Sequence, residues 1–381
     1  MEFAFGIPGF VRFGPGISAK LGELAAGMGA KTAFVLSDPG VKAAGLVDAL
    51  LGSLQAAGID MVEYDQVKAN PPDVQVEEAA QLARATNADV VVAIGGGSTI
   101  DCAKAVNILL TNPSPIRLYE GFDRVKHPGR PLIAIPTTSG TASEVTTVSV
   151  VTDTERTRKM VIGGQFVGPT LALADPLLTV GLPPTITAST GMDALTHAIE
   201  AYVSRAAMVP TDALALKAIE LISQNLVRAF EHGDDIEARS SMGLGSMMAG
   251  FAFNSAALGL AHSIAHPLGA HCHLAHGVAN AIVLPEVMAF NAPAASGKFR
   301  CIANAMGCNV HGLSDAGAAQ AAVDAVRALN RALQIPTLSA CGIDRDVFER
   351  VARDALEEVS TRFNPRSPTR QDVLAILDQA Y

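Results

Sequence analysis

Histidines that could bind a metal ion are concentrated in one short part of the chain. Five of the nine histidines fall in the stretch that begins at His262 and ends at His276. Upstream, Asp193 and His197 are four residues apart in a segment whose apolar residues recur at helical spacing. Residues at i and i+4 are neighbours on one face of a helix. This carboxylate and imidazole could therefore hold one ion together.

His262 and His266 form a second pair with the same spacing. Pro267 disfavours helical geometry in the residue before it, so we expect the second helix to bend or end there. A turn could then bring His276 back toward the first helix. Two imidazoles and a carboxylate suit Fe(II), and an aspartate with three histidines also suits Zn(II), so the ligand types do not choose the metal. Histidines that are merely packed in a core are the alternative, but two such pairs favour a metal site.

A Gly-Gly-Gly-Ser sequence at residues 95–98 could bind a phosphate. It lies between a β-branched run, which predicts a strand over residues 89–94, and a segment with helical periodicity over residues 99–110. Glycines let the backbone approach a pyrophosphate, the helix N-terminus presents free N–H groups, and Ser98 is a good N-cap. The spacing is not that of the Rossmann fingerprint, and a tight turn is the alternative interpretation.

Two further segments could contact a nucleotide. Asp38 ends a predicted strand, where its carboxylate could bind a ribose 2′-OH and repel a 2′-phosphate, which favours NAD over NADP. It could equally begin an Asp-Pro-Gly turn. Residues 136–144 are dense in hydroxyl groups directly after another strand. They could hydrogen-bond a ribose or phosphate, or provide helix caps and turns.

Strand and helix patterns alternate in the first half of the chain. Apolar runs predict strands at residues 32–38, 59–64, 89–94 and 132–136, with helices at residues 41–57, 74–86 and 99–110 between them. This alternation is typical of an α/β layer with a parallel sheet. Residues 145–151 and 159–162 predict a hairpin, and residues 171–174 a last strand. Strand patterns nearly vanish after Pro183, so we predict an α/β dinucleotide-binding domain over residues 1–180 and an all-helical domain, binding metal and substrate, over residues 181–381.

The composition indicates a globular protein with a large core. Hydrophobic residues make up 49% and charged residues 17% of the chain, and the net charge of −9 lacks the basic footprint of a nucleic-acid binder. Five cysteines without a CxxC pair, together with a start at residues 1–5 that lacks the features of a signal peptide, predict a cytoplasmic protein. Residues 240–285 contain no Asp, Glu, Lys or Arg. Gly, Ser, Asn and five histidines interrupt this stretch, so we predict helices buried in a protein core and no membrane contact.

With these motifs, the chain resembles the iron-containing (group III) alcohol dehydrogenase family nearly end to end. The similarity is carried by residues 13–16, the glycine loop with Asp101, and residues 136–144. It continues through residues 191–197, 262–269, 276–280 and 364–366. The combination of motifs is specific, although each alone would not be. The resemblance implies a dehydroquinate synthase-like architecture of an α/β domain followed by an all-α domain.

The resemblance also implies roles for individual residues. Metal ligands would be Asp193, His197, His262 and His276, and the ion would be Fe²⁺, with Zn²⁺ or another divalent ion as a replacement. His266 would lie near the metal and the nicotinamide, and Phe253 in the substrate pocket. The positions that usually touch NAD are Asp38, Gly96, Gly97, Ser98, Asp101, Thr137, Thr138, Ser143 and Lys159. Many members are dimers that exchange N-terminal strands, which predicts a homodimer.

Two positions depart from the family pattern. The sequence His271-Cys272-His273 between two implied ligands is unusual; it could alter the choice of metal, but we expect it at the surface. Val148 is apolar near a place where some members have a polar substrate contact, which argues against a pocket specific for polyols.

We therefore predict a metal-dependent, NAD-linked alcohol dehydrogenase or aldehyde reductase that acts on a small primary alcohol or aldehyde. The ion would act as a Lewis acid on the substrate oxygen, hydride would pass to or from the nicotinamide, and His266 would relay the alcohol proton. Related alternatives are a sugar-phosphate cyclase or glycerol-type dehydrogenase, and a metal-independent maleylacetate-type reductase. The lack of a Lys/Arg cluster beside the histidines argues against the cyclase, and the intact ligand set argues against the reductase. A non-redox metal-binding helical protein would leave the glycine loop unexplained.

Overall fold

A computed structural model describes residues 4–381 of the protein. The prediction that residues 1–5 contain no signal peptide thus falls partly outside the described residues. The chain forms two compact units. The sheet unit contains Ile7–Thr138 and Ala142–Gly181, and the helical unit contains Leu182–Tyr381 with Ser139–Thr141 and residues 4–6.

Six parallel strands form the main sheet of the sheet unit, in the spatial order β1-β9-β6-β4-β2-β3. A smaller sheet pairs β8 with β7 antiparallel and with β5 parallel. The strands are β1 (Phe10–Phe13), β2 (Thr32–Ser37), β3 (Asp60–Tyr64), β4 (Val90–Gly95), β5 (Gly121–Phe122), β6 (Leu132–Pro136), β7 (Val148–Asp153), β8 (Arg158–Gly163) and β9 (Leu171–Ala174). Every residue of β4 is buried, as expected for a strand covered on both faces.

Five helices belong to the sheet unit: α1 (Leu21–Gly27), α2 (Pro39–Ala43), α3 (Leu46–Ala56), α4 (Asp73–Ala85) and α5 (Gly97–Thr111). The single helix predicted over residues 41–57 is wrong, because Gly45 adopts a left-handed conformation (φ 72°) and separates α2 from α3. The predicted hairpin is present as β7 and β8; β7 starts and ends later than predicted, and β8 is one residue longer at each end.

The helical unit contains α6 (Pro184–Val203), α7 (Val209–Glu231), α8 (Ile236–Ala256), α9 (Leu260–Cys272), α10 (His276–Ala305), α11 (Asp315–Ala332), α12 (Phe348–Glu357) and α13 (Arg370–Gln379). The predicted fold class, a parallel α/β region followed by helices, is confirmed. One large apolar cluster, built from α6 to α13, fills the core of this unit.

The charge-free stretch at residues 240–285 forms parts of α8, α9 and α10. By length and composition α10 could cross a membrane, as could α8 and α9 taken together across a bend of 101°, but 61% of the most apolar window of α10 is buried inside the protein. A buried core helix accounts for this composition, as predicted. The helix predicted to bend or end before Pro267 does not end there: α9 continues through that proline to Cys272, and the chain turns at His273, which has a left-handed φ of 55°.

Candidate active site

Helix α6 presents Asp193 and His197 to the interior of the helical unit. The helix starts with Pro184 in its first turn, where a missing N–H costs nothing. Its apolar residues Met192, Leu195 and Ile199 belong to the core cluster. Asp193 and His197 lie in the same buried stretch and are only 2% and 4% exposed. Two polar side chains at such depth need partners, because burying an uncompensated polar group is costly.

Helices α9 and α10 supply the remaining histidines. His262 is in the first turn of α9, and the turn at residues 273–275 returns the chain so that His276 begins α10. The His262 and His276 rings lie with their centroids 5.3 Å apart. The turn predicted to bring His276 back to the first helix is therefore present, although it lies six residues beyond Pro267.

Three of the predicted ligands converge on one point. The Asp193 Oδ1 atom lies 3.6 Å from His262 Nε2 and 3.5 Å from His276 Nε2. Donor atoms around a tetrahedral ion with bonds of about 2.1 Å are roughly 3.4 Å apart. One carboxylate and two imidazoles at these separations fit a divalent transition metal. His276 is the most exposed of the three side chains, at 39%, so the cluster is open on that side.

His197 lies beside this cluster but is not part of it. Its ring stacks on that of His262 with centroids 4.5 Å apart. Within residues 4–381, the buried His197 Nδ1 and His262 Nε2 atoms have no hydrogen-bond partner. Such unsatisfied nitrogens support a metal at this place, whereas the ligand role of His197 stays a prediction.

Electrostatics in the pocket favour an ionised carboxylate among imidazoles. Burial acts to raise the pKa of Asp193, but the neighbouring His197 and His276 outweigh it and hold this pKa well below its usual value. Burial lowers the pKa of His197 to about 4, so its ring is neutral near pH 7. Burial also acts to lower the pKa of His262, but the carboxylates of Asp193 and Glu200 raise it to about 9. An ion must therefore displace a proton from His262 when it binds.

Asn280, which was not predicted as a site residue, belongs to the same pocket. Its side-chain amide donates to Asp193 Oδ1 at 2.8 Å and lies 3.2 Å from His276 Nε2. It is fully buried one helical turn after His276. Its i, i+4 spacing from His276 and its place in the motif at residues 276–280 were the sequence signals that could have identified it.

His266 and Phe253 flank the cluster. The His266 ring stacks on that of His276 with centroids 5.5 Å apart, and its Nδ1 atom lies 3.4 Å from Glu358 Oε2. The Phe253 ring, on α8, stacks on His197 with centroids 4.4 Å apart. Both predicted residues thus lie against predicted metal ligands.

His271 and His273 lie apart from the cluster. His271 Nε2 is 2.6 Å from Asp354 Oδ2, and His273 is exposed at the end of α9. Among residues 4–381, the group that could hold an ion contains neither of them.

In the sheet unit, the predicted nucleotide residues follow three adjacent strands. Asp38 follows β2, Gly96 follows β4 and Thr137 follows β6, and these strands are neighbours in the sheet. In open α/β sheets, ligands bind at the carboxyl ends of the strands, where these residues lie. Thr138 is also at this edge, within 3.4 Å of where a Cβ on Gly96 would be.

The glycine loop leads directly into α5. The N-cap is Gly96 and the helix starts at Gly97, two residues before the predicted start. Ser98 is therefore not the N-cap; its hydroxyl accepts from the backbone N–H of Asn70 at 3.1 Å. The N–H groups of the first turn of a helix have no partner within the helix and can bind an anion.

Asp38 has a structural role in addition to its predicted one. Its Oδ1 accepts from the backbone N–H groups of Gly40 and Val41, both at 3.0 Å, and caps α2. Its Oδ2 accepts from the Thr99 hydroxyl at 3.1 Å. The two interpretations of Asp38 are thus compatible, because the turn fixes the carboxylate at the end of β2.

Asp101, Ser143 and Lys159 lie around the start of α5. Ser143 Oγ donates to Asp101 Oδ1 at 2.5 Å, and Asp101 Oδ2 accepts from the Val150 N–H at 3.1 Å. Lys159 Nζ donates to Asn70 Oδ1. Burial lowers the pKa of Lys159 to about 8. Asn70, which sequence reasoning missed, therefore connects the predicted contacts Ser98 and Lys159.

Comparisons with known proteins cover the whole chain. A family model described as "Iron-containing alcohol dehydrogenase" matches residues 8–176. A second, described as "Fe-containing alcohol dehydrogenase family, C-terminal", matches residues 187–381.

Individual relatives are similar over their full length. The chain is 40% identical to an NAD-dependent methanol dehydrogenase of Bacillus methanolicus, over 99% of both chains. It is 41% identical to a lactaldehyde reductase of Escherichia coli K12, over 97% of both chains. The crystal structure of a 1,3-propanediol oxidoreductase superposes with a TM-score of 0.98 at 40% identity, over 100% of both chains.

Proposed function

The chain belongs to the iron-containing alcohol dehydrogenase family, and from this premise we propose which of its residues carry the reaction. It is a metal-dependent, NAD-linked oxidoreductase that interconverts alcohols and aldehydes. We assign the metal ligands as Asp193, His262 and His276, with His197 as the fourth. The convergence of the first three donor atoms within one pocket is the observation that carries this assignment.

The protein groups around the ion bind and orient the substrate. A divalent ion supplies Lewis acidity toward the alcohol oxygen, and NAD supplies the hydride acceptor. Phe253, stacked on His197, provides an apolar wall for a small carbon chain. The relatives named above act on methanol, lactaldehyde and 1,3-propanediol, so we propose a short primary alcohol or its aldehyde as substrate.

His266 is our candidate for moving the alcohol proton. It lies against His276 on one side and within 3.4 Å of Glu358 on the other. Glu358 is 29% exposed, so a proton held on the His266 ring could pass through this carboxylate to water.

The sheet unit is proposed as the NAD-binding domain and the helical unit as the metal- and substrate-binding domain. The N–H groups at the start of α5, from Gly97 and Ser98, would bind the pyrophosphate. Asp38 would accept from the ribose 2′-OH and disfavour NADP. Thr137, Thr138, Ser143 and Lys159 would add polar contacts, with Asp101 holding Ser143.

We also propose a cytoplasmic homodimer. Strand β1 is at the edge of the main sheet, and Phe10 on it is 79% exposed. An exposed edge strand with an apolar side chain can pair with another chain. The five free cysteines are consistent with a reducing compartment.

The decisive experiment measures metal and activity together. The protein would be purified anaerobically, its metal content determined, and NAD reduction followed with short alcohols before and after chelation. We expect about one Fe or Zn per chain, and activity that is lost on chelation and restored by the ion. Asp193→Asn should have neither bound metal nor activity. Turnover by metal-free protein would support the metal-independent reductase instead and would reduce the four ligand residues to structural roles.

A further inference from the structure

The amino end of α9, which carries His262, is held by side chains from two distant parts of the helical unit. A helix begins with backbone N–H groups that have no partner within the helix. The N–H groups of Gly259 and Ala261 donate to the carboxylate of Glu200, at 3.0 Å and 2.6 Å. The N–H of Leu260, between them, donates to Asn364 Oδ1 at 3.2 Å. Three successive N–H groups are thus satisfied by residues that lie 59 to 104 positions away in sequence.

Glu200 also contacts the predicted metal ligand itself. Its Oε2 atom lies 2.7 Å from His262 Nδ1, and both side chains are buried. A carboxylate that already accepts two N–H groups can only accept from the ring, so Nδ1 carries the proton. When an ion displaces the second ring proton, the lone pair is on Nε2, the nitrogen that faces Asp193. Glu200 thereby selects the tautomer of His262 that can bind an ion.

Helix α6 provides both the ligands and this orienting carboxylate. Glu200 follows Asp193 by seven residues and His197 by three, so all three lie on one face of α6. The bonds from Glu200 to α9 therefore resist movement of α9 relative to α6. They lie at the place where the two helices bring Asp193 and His262 together.

Asn364 fixes the other side of the same turn. Its Nδ2 donates to Asn291 Oδ1 at 2.7 Å and to the Arg366 carbonyl at 2.6 Å, and its Oδ1 also accepts from Asn291 Nδ2 at 2.9 Å. Both amides are buried. A Cβ on Gly259 would lie 3.0 Å from both Asn364 Oδ1 and Glu200 Oε1. These two side chains can approach the backbone so closely because Gly259 has no side chain.

We propose that Glu200 and Asn364 form a clamp that sets the ring orientation and position of His262 and thereby the affinity of the pocket for a divalent ion. The proposal rests on the metal site proposed above. Both are positioning residues, since they act through α9 and His262. Partners of this kind typically change metal affinity by about 10- to 100-fold when they are removed.

The test uses the full chain, stripped of metal, and Co²⁺ as the probe. Its dissociation constant would be measured by competition with a chromophoric chelator, and its visible spectrum would report the coordination geometry. Glu200→Gln keeps the size of the side chain but can place an N–H donor against His262 Nδ1. We expect about 10- to 100-fold weaker Co²⁺ binding with an altered spectrum. Asn364→Ser leaves the Leu260 N–H without its acceptor and should weaken binding to a smaller extent.

Glu286→Gln is the matched control. Glu286 is a buried carboxylate of the same unit that pairs with Arg327 and not with the cluster. The Glu286→Gln substitution should leave the Co²⁺ affinity and the Co²⁺ spectrum unchanged, even if it lowers the melting temperature of the protein. If Glu200→Gln binds Co²⁺ like the wild type, or if the control weakens binding equally, the clamp is refuted. If Glu200→Gln does not fold, a Co²⁺ affinity of Asn364→Ser equal to that of the wild type refutes the clamp. Absence of Co²⁺ binding in the wild type would instead refute the metal site itself.

Discussion

Replacing Gly277 with alanine should separate the two helices that bring His276 to Asp193. Gly277 is the second residue of α10, directly after His276. A Cβ there would lie 2.2 Å from the carbonyl oxygen of Ser189 and 2.7 Å from its carbon, both on the backbone of α6. Because backbone atoms cannot rotate away as a side chain can, the start of α10 itself must move.

The size of the movement follows from the contact. Real Cβ atoms essentially never approach closer than 3.0 Å, so the gap must open from 2.2 Å by at least 0.8 Å. Metal–ligand distances tolerate only about 0.2 Å. The His276 Nε2 and Asp193 Oδ1 atoms are now 3.5 Å apart, and this spacing cannot be kept if His276 moves with Gly277. A misplacement of about 1 Å can cost about 100-fold in rate, and we expect a similar loss in Gly277→Ala.

The assay measures Zn²⁺ affinity by chelator competition, together with kcat for alcohol oxidation. Gly297→Ala is the control, since Gly297 is exposed in α10 beyond a kink at Ala295, and its added Cβ meets no atom within 4 Å. That substitution should leave binding unchanged and stabilise the helix by about 0.5–1 kcal/mol. The reasoning is refuted if Gly277→Ala retains the wild-type Zn²⁺ affinity and kcat.

Three further predictions concern proton transfer and the nucleotide. His266→Gln should lower kcat by about 100-fold or more while bound metal is unchanged; full activity across the pH range would remove His266 from the mechanism. Asp38→Gly should raise the ratio of kcat/KM for NADP over NAD by about tenfold, since glycine keeps the helix cap within a few tenths of a kcal/mol and the negative charge is lost; an unchanged ratio would contradict the ribose contact. Lys159, whose pKa burial lowers to about 8, is charged below that pH and neutral above it. NAD affinity, measured by calorimetry, should therefore fall about 3- to 10-fold between pH 7 and 9.5, whereas Lys159→Met should show no such fall if Lys159 binds the pyrophosphate.

Short-range patterns predicted most of the elements that position the site. The β-branched run of β4 and the glycine loop after it marked the carboxyl end of this strand, where the nucleotide residues lie. The i, i+4 spacing predicted the helices with Asp193 and His262. Errors arose where one residue decides a local conformation. Gly45 interrupts a helical pattern by adopting a positive φ, and Pro267 is tolerated inside α9 at the loss of one backbone hydrogen bond.

Contacts between distant segments could not be predicted from such patterns. Asn70 connects Ser98 and Lys159, but nothing in its own neighbourhood indicates either contact. Asn364 was recognised only as part of a motif, and its bond to Leu260 spans 104 residues. Glu200 was recoverable in part, because a carboxylate three residues after His197 in a mainly apolar helix needs a partner.

Each compact unit has its own apolar core, and the proposed ligands divide between the units: the ion belongs to the helical unit and the nucleotide to the sheet unit. A ligand present at one hundred times its dissociation constant stabilises the state it binds by about 2.7 kcal/mol. Scarcity of the metal would remove that contribution from the helical unit and leave its buried imidazoles uncompensated. A change of about 1–2 kcal/mol can alter the amount of a protein in cells several-fold through proteolysis. Metal supply would thus regulate how long the polypeptide survives as well as how fast it works.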